Sequence, residues 1–144
     1  QLSSSSGLRI SLPTEAQWEY ACRAGTTTPF HVGETLSTGQ ANYDGRNLQG
    51  IFRQKTTPVG SFDSNPWGLY DMHGNVWEWC ADWYGDYPSQ AATNPAGPPT
   101  GINRVFRGGS WGSVPAECRS ADRGSIIPDY RTRGSGFRVV VLLD

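Results

Sequence analysis

Few residues in this 144-residue chain have the chemistry of a reactive centre. The three cysteines, Cys22, Cys80 and Cys118, form no CxxC pair and no dense framework. At most one disulfide can form, at least one thiol stays unpaired, and the redox compartment is left open. His31 and His73 are the only histidines, and neither has a cysteine or second histidine at zinc spacing. His73 sits inside a glycine turn and reads as a structural hydrogen-bonding residue. No Ser-His-Asp set, phosphate loop or isolated pair of carboxylates stands in for them. Arginine is what the chain has in quantity, with eleven of its twelve basic residues of that type. A planar, multi-donor guanidinium is suited to tying carbonyls and carboxylates together.

The elements that would hold such ties are short. Eighteen glycines and ten prolines occur beside six Trp, six Tyr and five Phe. Disordered chains avoid aromatics, so these are the turn residues of one compact, loop-rich domain. Thirteen acidic residues nearly balance twelve basic ones, which argues against a nucleic-acid partner. The longest apolar run, Val139 to Leu143, is too short to span a bilayer. No signal peptide is visible, and the abrupt Gln1-Leu2 and serine-rich start reads as a fragment, so localisation stays undetermined.

Residues 1–11 are expected to be an arm or loop remnant. Thr14 and Gln17 have capping-box spacing, Pro13 limits extension upstream and Gly25 offers a stop, which predicts a helix over 14–23 with Trp18, Ala21 and Cys22 on one face. No period persists from Thr26 to Trp67, so long ordered loops are expected there, and loops of that length need ties or a function. Asn94-Pro95-Ala96-Gly97-Pro98-Pro99 reads as a rigid loop. Strands are expected over 75–83 and 105–111, and 136–144 is expected to be a central buried strand. The sum is an α+β domain in which loops outweigh regular elements.

Four stretches carry a resemblance. They are Leu12-Pro13-Thr14-Glu15-Ala16-Gln17-Trp18-Glu19-Tyr20-Ala21, Pro66-Trp67-Gly68-Leu69-Tyr70-Asp71-Met72-His73-Gly74-Asn75-Val76-Trp77-Glu78-Trp79, Arg107-Gly108-Gly109-Ser110-Trp111 and Gly136-Phe137-Arg138-Val139. In that order and spacing the chain, from Leu12 onward, resembles the formylglycine-generating-enzyme (sulfatase-modifying factor) superfamily. The resemblance implies a loop-rich C-type-lectin-like fold over 12–144. It also implies that the N-terminal portion of the full domain is missing, and that portion then becomes a possible partner.

The resemblance further implies calcium, held by Asp71, Gly74, Val76 and Glu78 through two carboxylates and two backbone carbonyls. A hard cation wants six to eight oxygens, and a turn leading into a strand can aim alternate groups inward. From the residues alone, Asp71 capping a turn and Glu78 pairing with an arginine is an equal alternative. Some members hold a second calcium near the segment equivalent to Asn42-Tyr43. Ile51 to Lys55 contains no carboxylate and only Asp44 could replace one, so that site is not expected.

Members that oxidise a substrate cysteine bind copper through two cysteines just after the Gly-Gly-Ser-aromatic motif, and soft thiolates suit a cuprous ion. In this chain Ser113 stands at the first position and only Cys118 could stand at the second. Counted from the downstream side, Cys118 instead falls near a structural cysteine, and a disulfide to Cys22 is conceivable. A formylglycine-generating-type oxidoreductase or related maturation enzyme is therefore the alternative reading.

The leading reading is a non-catalytic binder of a protein or other macromolecule. The same fold serves as the variable protein of diversity-generating retroelements, which rewrite adenines in a comparable segment. A randomised Asn codon cannot give Lys, Gln, Glu, Met or Trp, and between Gly112 and Ser135 only Glu117 belongs to that set. The expected contacts are Gly112, Ser113, Val114, Asp122, Gly124, Ser125, Ile126, Ile127, Asp129, Tyr130, Thr132, Gly134 and Ser135. Arg119, Ala121, Arg123 and Arg131 between them are expected to be buried or bonded to backbone.

Overall fold

The computed structural model describes residues 7–142. Its single helix, α1 (Glu15–Arg23), begins where the capping box is: the Thr14 side chain accepts from the Gln17 amide, and the Gln17 side chain accepts from the Thr14 amide. The stop falls one residue before Gly25, at Ala24, which takes a left-handed conformation (φ 45°) and donates its N–H to the Tyr20 carbonyl. Glu15, Trp18 and Cys22 form the buried face.

That face packs on a four-stranded sheet of order β4-β3-β2-β5, made of β2 (Trp77–Trp83), β3 (Arg104–Arg107), β4 (Arg123–Ile126) and β5 (Ser135–Gly136). β2, β3 and β4 pair antiparallel, with a register shift between Trp79 and Trp83, and β5 runs parallel to β2. One expectation fails for a backbone reason. β3 stops at Arg107 rather than 111, because Gly108 and Gly109 take positive φ and turn the chain away. At Gly109 a Cβ would also lie 2.6 Å from the Cys118 sulfur, so no other residue fits there.

The C-terminal run is not a central buried strand. Arg138 is drawn inward onto Glu78, which throws Phe137 and Val139 outward, and the run resumes only as β6 (Val140–Leu142). β6 pairs antiparallel with β1 (Arg9–Ser11) in a separate two-stranded sheet, with Val141 and Leu142 exposed. Part of the expected N-terminal arm is thus a strand. Gln1 to Ser6, Leu143 and Asp144 lie outside the described residues.

Two small cores result. Trp18, Cys22, Met72, Cys80 and Val105 form one, while Phe30, Leu36, Ala41, Tyr43 and Cys118 form the other. His73 joins them. Its Nδ1–H donates to the Cys118 carbonyl (2.7 Å), its Nε2 accepts from the His31 amide (3.1 Å), and its ring meets Phe30 edge-on. Both bonds require the neutral ring with its proton on Nδ1. Burial first, and His31 second, push the His73 pKa down to about 4.

The fully buried Arg107 fastens β3 to the helix and to the segment beyond it. It bonds Glu19 and the carbonyls of Ser120 (2.8 Å) and Asp122, and lies 3.6 Å from Glu15. Removing one partner of a buried charge pair typically costs about 3–5 kcal/mol. Arg107→Ala should lower stability by about that much in urea unfolding, and Arg107→Lys should recover little, having no planar fork to span four acceptors.

His73 generates a pH prediction. Its folded pKa lies below the unfolded value of 6.5, so its stabilisation is complete above pH 6.5 and is lost as pH falls toward 4. The loss should be about 3 kcal/mol across that window. Urea midpoints measured from pH 7 to 4 should show it, and His73→Gln, though less stable at pH 7, should lack that part of the slope.

Candidate functional site

Residues 112–135 leave β3 through the glycine turn, make a short 3-10 turn at Pro115–Cys118, form β4, then cross from that edge of the sheet to β5 at the other. Anchors punctuate the path. Asp44 donates its amide to the Ser113 carbonyl (2.9 Å), Pro29 accepts from the Ser120 amide (2.8 Å), and Trp77 donates to the Gly134 carbonyl (2.7 Å). Arg123 grips Glu15 through Nε and Nη2, one to each carboxylate oxygen (2.8 and 2.5 Å), and donates to the Gly85 carbonyl.

The expected contacts divide by these anchors. Gly112, Val114, Ile127, Asp129, Tyr130 and Thr132 face solvent, with Tyr130 about half exposed at 49%. Ser113 and Gly134 do not. Ser113 is buried with its hydroxyl accepting from the Ser110 amide, and Gly134 is buried against Ser110, where an added Cβ would lie a tight 3.2 Å from the Ser110 Cβ. Gly124, Ser125 and Ile126 are half-buried strand residues of β4, Gly124 lying beneath the Trp77 ring. Ser135 belongs to β5, and Asp122 is partly buried beside Arg119. Among the expected ties, Arg123 is half-buried and bonded as described, and Arg119 is exposed but donates to the Ala116 carbonyl (2.8 Å). Ala121 and Arg131 are corrections: both are exposed, because the backbone rather than these side chains carries the anchoring there.

A neighbouring aromatic stack was not legible from the residues. Phe52 lies on Trp111 (6.0 Å between centroids), the Arg46 guanidinium covers Phe52 at 4.3 Å, and Trp111 Nε1 donates to the Arg133 carbonyl. Phe52 sits in an aperiodic loop, and no local signal pairs it with a ring so distant in sequence.

The proposed calcium ligands are otherwise engaged. The Glu78 carboxylate receives Arg138 on both oxygens (2.6 Å each) and the Trp18 indole N–H (2.5 Å). Asp71, at φ 55°, accepts from the Gly60 amide (2.7 Å), and the Gly74 carbonyl accepts from Val76. A guanidinium on Glu78 and a calcium ion on the same carboxylate would repel, so this arrangement does not fit the ion. Among the described residues no three His, Cys, Asp or Glu side chains group as a metal site.

A two-thiolate copper site does not fit either. Ser113 supplies no sulfur, and burial pushes the Cys118 thiol far up, against the thiolate that copper needs. All three cysteines are free and buried, so Cys22 and Cys118 form no disulfide. The Cys22 sulfur instead lies 3.5 Å from the Ser120 hydroxyl and 3.8 Å from His73 Nδ1.

No helix among the described residues is long and apolar enough to cross a membrane. Comparison with known proteins matches the geometry. The serine/threonine-protein kinase pkn1 of Chlamydia caviae is 43% identical over 132 residues, covering 88% of this chain and 20% of that protein. The formylglycine-generating enzyme of Streptomyces coelicolor is 38% identical over 141 residues, covering 88% of this chain and 45% of the enzyme. Among solved structures, Treponema denticola variable protein 1 superposes with a TM-score of 0.79 at 35% identity, over 92% of this chain and 47% of that one. The chain thus spans half or less of the length of these relatives. The model of the sulfatase-modifying factor enzyme 1-like domain matches residues 3–143, and the fold is of the formylglycine-generating-enzyme type; the chain belongs to that family.

Proposed function

We propose that the chain is a non-catalytic binding domain whose face for a protein or other macromolecule is the exposed part of 112–135. One observation carries the reading: backbone bonds and bonded arginines fix this segment, while Val114, Ile127, Asp129, Tyr130 and Thr132 project from it without holding the core. Rigid aromatics and adaptable small polar groups on a fixed backbone are what a binding surface needs. The likeness to a variable protein supports the same reading, as does the absence of Lys, Gln, Met and Trp from the segment. Retroelement diversification is part of the proposal. It requires, beside the gene, a reverse transcriptase and a near-copy of the segment coding for 108–137 that differs only at adenines.

The second reading, a formylglycine-generating-type oxidoreductase, draws on relatives of that name. Ser113 and the buried Cys118 thiol count against it, and conversion of a cysteine peptide to formylglycine would restore it.

Simultaneous randomisation of Gly112, Val114, Ile127, Asp129, Tyr130 and Thr132 should leave most variants folded, since exposed changes usually stay within about 0.5 kcal/mol. Randomising Ser113, Arg123 and Gly134 should leave few. Soluble yield and melting of the two libraries decide it, and equal losses would reject the binding face.

Calcium at Asp71, Gly74, Val76 and Glu78 remains a proposal of the resemblance, and a ligand bound only to the folded state raises melting by mass action. With Glu78 held by Arg138, melting in excess chelator should equal melting in excess calcium. A higher midpoint with calcium would favour the ion.

A further inference from the structure

The rigid proline loop has a role that the 112–135 face leaves unexplained. Residues 95–98 form one wall of an open cleft of about 770 Å³ whose other walls are α1, Tyr87 and Arg123. That size is ample for a ligand, and the lining is mainly apolar with a few polar groups on the floor. Gly97 sits directly over Asp82, with a Cβ position 3.0 Å from the Asp82 Cβ, so the loop roofs a carboxylate only 4% exposed.

The polar groups are unequally committed. Arg123 is fully engaged by Glu15 and the Gly85 carbonyl, and Arg23 by Glu19 and the Thr28 carbonyl. No arginine pairs with Asp82 or Asp86. Asp82 accepts the Glu15 amide on one oxygen (2.7 Å), and Asp86 has no hydrogen bond or ion pair among the described residues. Four carboxylates line the cleft against two arginines, and the buried Arg107 behind them still leaves one negative charge in excess. The cleft therefore lacks a donor, and a singly charged one.

We propose that this cleft binds a lysine side chain of an extended peptide segment, its alkyl stem along Pro95, Pro98 and Tyr87 and its ammonium at the exposed Asp86. A lysine stem buries its methylenes on apolar walls while its head stays polar. Its compact head meets an exposed carboxylate as a point charge, whereas a guanidinium favours a carboxylate held bidentate.

The test titrates the ¹⁵N-labelled 144-residue chain with Ac-Ala-Lys-Ala-NH₂ and with its norleucine counterpart, which keeps the stem and removes the charge. The lysine peptide should shift the amides of Tyr20, Tyr87, Ala96 and Gly97 saturably, and the norleucine peptide should bind about five-fold more weakly, the effect of one partly screened cation contact. Asp86→Asn, at an exposed and unbonded position, should leave melting unchanged and weaken lysine binding by a similar factor. Equal binding of the two peptides, no saturable shift at these amides, or an Asp86→Asn variant that binds lysine as well as the parent would overturn the proposal.

Discussion

A charged side chain with no solvent exposure must find its partners inside the protein, and Arg107 finds them on two separate segments. Its guanidinium reaches Glu19 on α1 and the carbonyls of Ser120 and Asp122 beyond the glycine turn, with Glu15 close by. Glu15 in turn holds Arg123 at the start of β4 and the Tyr87 hydroxyl. Helix, central strand and the start of the exposed segment are therefore one electrostatic unit. An isolated buried charge is so unfavourable that this unit admits few alternative arrangements.

The same logic repeats away from that centre, with amides in place of charges. Asn65 accepts the Trp67 and Leu69 amides while donating to the Ala21 carbonyl, which fixes the turn before the glycine motif to the helix end. Asn75 accepts from Thr57 and Asn42, and Asn42 returns a backbone bond to Asn75. Long loops with little regular structure become ordered because amide side chains such as Asn65 and Asn75 bond backbone across loops. A surface between such anchors can change its side chains without moving its backbone, which connects the packing to the binding role proposed.

The pairing of Arg138 with Glu78 is a second tie between distant parts of the chain. It joins β2 to the chain after β5, satisfies a carboxylate that also accepts the Trp18 indole, and turns Phe137 and Val139 outward. The thiols follow a different rule. Packed without a cationic neighbour in direct contact, Cys118 stays a small apolar group of its core rather than a nucleophile or ligand.

Sequence alone determined what is local or modular. The capping box at Thr14 and Gln17, the strands after Asn75 and Arg104, and the family motifs are written in adjacent residues, so the helix, the core of the sheet and the fold type were legible. The turn-capping and arginine-pairing alternative for Asp71 and Glu78 was legible too, though the residues alone could not choose it over calcium. Tertiary structure decided the rest. Which of the residues 112–135 face solvent depends on anchors from Asp44, Trp77 and Glu15, far off in the chain. The Phe52–Trp111 stack, the proline-walled cleft and the splitting of the C-terminal run between two sheets arise the same way. Such contacts have no period and no spacing to read, because loop residues are brought together by the closing of the whole chain rather than by the geometry of one element.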